Sequence, residues 1–199
     1  MSAIKELREK ITMTHHRFLF DFQKSVETAG LFLRLAGGRL RFIELLKLMY
    51  MADRQCLAEE ARTITGDAVY ALPHGPVLST VYKFIKGKGY QVSLWQRYIK
   101  TDGRTVFIAN DPGTGELCRF EKAIIENVYQ ENKDRDVVRI SHTFPEWKKY
   151  ESLLCDPNTP NSYEITIGDV LEGLAKTELM PIVEERIAEI KDYKKLFGR

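Results

Sequence analysis

Four histidines, three cysteines and scattered carboxylates are the groups in this chain that could do chemistry. The histidines are His15, His16, His74 and His142. Adjacent histidines point to different faces of a helix, and His74 and His142 have no cysteine or histidine at ligand spacing, which argues against a metal site. Cys56, Cys118 and Cys155 are odd in number and widely spaced, with no Cys-x-x-Cys pair. That pattern argues against a disulfide framework or a zinc knuckle and fits reduced thiols in a cytoplasmic protein. Ser79, His142 and Asp53 are the residue types of a nucleophilic triad, but no Gly-x-Ser-x-Gly elbow presents the serine. Gly113-Thr114-Gly115 is too short, and too acidic nearby, to cradle a phosphate. The expectation is a chain that is not an enzyme and uses no cofactor.

Asp53 is placed oddly. It follows Met49 by four residues and precedes Cys56 by three, so it lies on or beside the apolar face of a long helix. A carboxylate there is costly unless it is hydrogen-bonded or paired. It is expected to accept bonds from His74 or from amides of the 65–74 segment and to hold that corner against the helix. Gly75-Pro76 reads as a tight entry into a helix, Pro76 suiting the first helical position, or as a stiff exposed corner that a partner could grip.

Charge is uneven along the chain. From Lys83 to Arg104 there are six basic residues and one acid, interleaved with Tyr90, Trp95 and Tyr98. Basic groups with aromatics can bind single-stranded nucleic acid, dock an acidic protein, or simply solvate a hairpin. From Glu164 to Asp192 there are eight acids and three bases. The 199 residues as a whole hold 30 Lys and Arg against 28 Asp and Glu, too balanced for a protein that wraps a polyanion. Tyr70, His74, Tyr90, Trp95, Arg97 and Tyr98 are the candidate partner-binding residues.

The elements that must position these groups read as mostly helical. Residues 2–12 suggest a short polar helix or loose arm. Phe18, Phe22, Val26 and Ala29 begin a helical stripe that Gly37-Gly38 ends. A helix over about 40–61 is apolar nearly all round, as a central core helix is. Val69–Leu72 reads as a strand and residues 77–85 as a helix opened by Pro76. Residues 90–109 read as strands around the hairpin turn Thr101-Asp102-Gly103-Arg104. Helices are expected over 120–128, from a Thr143-x-x-Glu146 capping box to Leu154, over 166–176, and from Pro181 to the end. The N-terminus has no signal-peptide core, and Leu31–Leu48 is too interrupted by charge to span a membrane. The fold class expected is α+β, mainly helical: one compact domain with a central buried helix and a small inserted antiparallel β-hairpin.

Several blocks together resemble a known family. Leu46–Arg54, then Ile64-Thr65-Gly66-Asp67, then Leu72-Pro73-His74-Gly75-Pro76-Val77-Leu78-Ser79, are similar to the Panacea antitoxin domain of the SocA-like family. Ser141-His142 followed by Trp147 resembles its later signature, and Ile167–Leu171 its closing helix. The likeness runs over roughly residues 20–175. It implies an arm at 1–17, the antitoxin domain at 18–176 and a C-terminal helix at 177–199. It marks Asp53, Gly75, Pro76, His142 and Trp147 as motif residues, Trp147 being a core or rim aromatic. It implies the antitoxin half of a bacterial or phage toxin–antitoxin pair, active in phage defence, which binds and neutralises a toxin protein encoded by the adjacent gene. Two alternatives stay open: an adaptor that delivers the toxin to a protease, and a nucleic-acid-binding regulator using residues 83–104. The acidic, apolar-striped C-terminal helix could pack on the domain, form a homodimer or cover a toxin.

Overall fold

The helical stripe after Asp21 folds as α1 (Phe22–Leu35), capped by the Asp21 carboxylate, which accepts from the Lys24 amide at 2.9 Å. The computed structural model describes residues 16–197, so the expected helix at 2–12 and His15 lie outside the described residues. Phe18 and Phe20 belong to an extended lead-in rather than to the helix. The Asp21 amide pins that lead-in by donating to the Thr65 carbonyl at 2.8 Å.

A short strand, β1 (Arg39–Arg41), runs directly into α2 (Phe42–Glu60). Every residue of α2 from Leu45 to Asp53 is buried, as its all-round apolar pattern requires. Ala61, in the left-handed region at φ 50°, ends it. β2 (Val69–Leu72) and β3 (Gly75–Leu78) form a tight antiparallel pair, and α3 (Ser79–Ile85) follows. Next come α4 (Val92–Tyr98), β4 (Ile99–Asp102) and β5 (Thr105–Ile108). The remainder is α5 (Arg119–Asn132), α6 (Val137–Ser141), α7 (Pro145–Leu154), β6 (Tyr163–Ile165), α8 (Ile167–Gly173), a 3-10 turn and α9 (Met180–Phe197).

Two three-stranded antiparallel sheets flank α2, in the orders β1-β5-β4 and β3-β2-β6. The protein is therefore a mainly helical α+β structure. Its larger core gathers α1, α2, α3, α5 and the hairpin around Phe32, Leu45, Met49, Leu78 and Trp95. A smaller one joins the end of α2 to β6, α7, α8 and α9 through Leu57, Ala71, Trp147, Leu171 and Val183.

Three expectations are corrected. Pro76 lies in β3, not at the first position of a helix; β3 is an edge strand, where a residue without an amide proton is tolerated. Residues 92–98 are helical, because Trp95 and Ile99, both fully buried, recur at four residues rather than alternating. The hairpin itself stands, with Asp102 opposite Thr105. The Thr143–Glu146 capping box does not form: Phe144 is the N-cap, Pro145 opens α7, and the Thr143 hydroxyl donates to the Ile140 carbonyl. Finally, β1, α6 and β6 are elements that three to five residues of sequence did not announce.

Candidate functional site

The β2–β3 corner, Leu72–Pro76, is where distant motif blocks meet. Lys47 rises from the middle of α2 with no solvent exposure, and its Nζ donates to the Pro76 carbonyl at 2.7 Å. Gly75, at φ 90°, leaves room for it: a Cβ there would stand 2.6 Å from Ser141 Oγ, 2.8 Å from Lys47 Nζ and 3.0 Å from His142 Cδ2. His142 stacks on Trp147 with ring centroids 4.4 Å apart and planes within 8°. The Trp147 indole Nε1 donates to the Leu72 carbonyl at 2.9 Å. The corner is thus held from below by α2 and from the side by the α6–α7 connection. Burial pulls the Lys47 amine down to about 7. Among the described residues, His142 Nε2 is buried without a hydrogen-bond partner.

One face of α2 carries the next contact. Lys47, Tyr50 and Arg54 follow at i, i+3 and i+7, and that face meets α7. Glu146, buried on the first turn of α7, accepts from Tyr50 OH at 2.7 Å and from Arg54 Nε at 2.6 Å. The Arg54 guanidinium also lies 4.5 Å from the Phe144 ring centroid. Burial, with the Glu146 charge beside it, raises the Tyr50 hydroxyl well above its usual range.

Asp53 fastens a different loop. Its carboxylate accepts from the amides of Ile64 at 2.8 Å and Thr65 at 3.0 Å and from the Thr65 hydroxyl. His74 is not a partner; it sits exposed at the corner. Burial pushes the Asp53 carboxyl up to about 6, against the pull of those three donors. Two residues on, Asp67 accepts from the Thr80 and Val81 amides at 2.8 and 2.9 Å and so caps α3. Gly66 at φ 66° between them cannot carry a side chain, since a Cβ would meet the Leu19 carbonyl. A cavity of about 530 Å³ opens beside this network. The charged groups on its walls are already engaged: Arg54 pairs with Glu146, Arg17 pairs with Glu164, and Asp53 and Asp67 accept from backbone amides.

The sequence candidates fare unevenly. Trp95 is enclosed against Phe84, 5.6 Å between centroids, which removes it from any surface contact. Tyr90 and Arg97 are exposed, and Tyr70 and Tyr98 are half-buried. Ser79, Asp53 and His142 do not assemble as a triad, because Asp53 is committed to Ile64 and Thr65 and His142 to the Trp147 ring. Among the described residues no three His, Cys, Asp or Glu side chains cluster at ligand spacing. No helix there is long and apolar enough to cross a membrane. Lys47, Tyr50 and Arg54 were not singled out by sequence as site residues, and Glu146 only as a capping-box acid. The available signal was a lysine inside the most apolar face of the chain, with a tyrosine and an arginine following on the same side.

Polar side chains buried at a corner and bonded to backbone define a rigid α+β scaffold, its motif residues spent on holding shape. Residues 45–148, just over half of the chain, match the sequence model of the family described as antitoxin SocA-like, Panacea domain. The chain belongs to the SocA-like Panacea antitoxin family. The matched span is narrower than 20–175, but it contains Lys47, Asp53, Gly75, Pro76, His142 and Trp147. No curated protein and no solved structure matches the chain.

Proposed function

We propose that this chain is an antitoxin that neutralises a cognate protein toxin by binding it directly, without chemistry of its own. The observation that carries this reading is the use made of the motif residues. Lys47, Trp147 and Asp53 each bond to backbone of the corner or of the loop leading to it. What such bonds deliver is an outer surface of fixed shape, and binding to a preorganised surface loses less to ordering. The toxin is the product of the adjacent gene in this proposal. Co-expression tests it: cells making the adjacent gene product grow when this chain is present and stop when it is absent, and the two proteins co-purify. Unchanged growth arrest, or rescue without a complex, contradicts direct neutralisation. Rescue with a shortened toxin lifetime, abolished in cells lacking their ATP-dependent proteases, assigns the delivery mechanism instead.

A further inference from the structure

We infer that a groove beside the Leu72–Pro76 corner receives an acidic segment of the toxin carrying an apolar side chain. The inference rests on the antitoxin reading and names the chemistry of the partner. The groove has a volume of about 620 Å³, within the range that encloses a few side chains. Phe42, Leu72 and Val77 line its floor, and Arg41, His74 and Arg104 line its rim, with no carboxylate among its lining residues. Three elements bring these together: the start of α2, the β2–β3 corner and the β4–β5 turn. Their spacing is fixed by backbone, since the Phe42 amide donates to the Arg104 carbonyl at 2.9 Å and β1 pairs with β5.

The rim is open and positive. Arg104 and His74 are exposed, and neither side chain has a partner among the described residues. Arg41 lies 3.6 Å from Glu44, at the first turn of α2. Lys86 adds a further positive charge, its Nζ 4.2 Å from the Phe42 ring centroid. In the cavity beside Asp53, by contrast, the charged groups are already engaged, and carboxylates are among them. Cations around an apolar floor complement a hydrophobic anchor flanked by carboxylates. A polyphosphate chain would satisfy the rim and leave the floor unfilled.

The test uses the full chain and the toxin from the adjacent gene. Rim charges act mainly on association rate and its salt dependence. The Arg41→Gln/Arg104→Glu double variant is expected to lose growth rescue and to associate at least about ten-fold more slowly. Lys191→Glu, exposed on α9, which contributes no residue to the groove lining, is expected to stay within about two-fold of the unaltered chain. Thermal melting shows whether the double variant is folded. Hydrogen exchange on the unaltered complex gives a second readout, with protection expected at 41–43, 72–74 and 103–105. If the unaltered chain neither rescues growth nor binds, the antitoxin reading itself falls. If it rescues and the folded double variant rescues equally and binds as fast, or those three segments stay unprotected, the toxin docks elsewhere and the inference is overturned. Displacement of the toxin by a single-stranded oligonucleotide that needs Arg104 overturns it in favour of nucleic acid.

Discussion

Replacing Lys47 with methionine exchanges a buried amine for a thioether of similar length, and the structure sets what should follow. In the native chain the amine is wholly buried and its Nζ donates to Pro76. Burial moves its pKa from 10.5 to about 7. The unfolded chain therefore takes up this proton below about pH 10.5, the folded chain only below about pH 7. Between those limits folding releases a proton, so native stability rises with pH by about 1.4 kcal/mol per unit. The whole window corresponds to roughly 4–5 kcal/mol, and below pH 7 the penalty is constant because both states hold the proton. Methionine has no such dependence, but it strands the Pro76 carbonyl at a cost of about 1–3 kcal/mol at every pH. Urea unfolding of both proteins from about pH 7.5 to about pH 9.5 measures the difference, in which the other titrating groups cancel. Native minus variant stability is expected to climb by about 2–3 kcal/mol across that range. A flat difference refutes the reasoning, since it means that the amine keeps its proton or reaches water.

Three further substitutions test the remaining contacts. Glu146→Ala leaves Arg54 and Tyr50 without their acceptor and is expected to lower unfolding free energy by about 3 kcal/mol or more; adding Arg54→Met should cost less than the sum of the two single changes in the same urea assay. Asp53→Asn removes a carboxyl that stays protonated to about pH 6 when folded, against 3.8 when unfolded. Native minus variant stability is therefore expected to fall by roughly 2 kcal/mol as pH rises from about 4 to 6, the opposite sign to the lysine. Gly75→Ala must adopt φ 90° and push against Ser141 and Lys47, and at least about 2 kcal/mol is expected to be lost, read as a drop in melting temperature.

Long apolar periodicities were the legible part of the sequence. The stripe of α1, the all-round apolar α2 and the Asp-Gly turn between β4 and β5 each carried its own local signal, and each formed. Failures came where tertiary context overrode a short pattern. Val92, Leu94 and Tyr98 suggested extended chain, yet the need to bury Trp95 and Ile99 together chose a helix. Glu146 sat at capping-box spacing, but two donors on α2 captured its carboxylate. The motif blocks identified Gly75, His142 and Trp147 as a group. That they meet at one corner, which a buried lysine holds from α2, was not legible, because the contacts join residues 29 and more positions apart.

The pairing of β2 bears on what can be cut away. Its inner neighbour β3 follows it closely, but its other neighbour, β6, is Tyr163–Ile165, with Val69 opposite Ile165. Beyond it, the Lys176 amine donates to the Ala58 carbonyl at 2.7 Å and stitches the end of α8 to the end of α2. A fragment trimmed to the matched residues 45–148 would lose that third strand and α1 as well, baring a ladder edge next to the corner and inviting strand exchange between copies. The structure around the corner thus draws on more of the chain than the stretch that sequence kinship marks, because residues beyond 148 supply the second neighbour of β2.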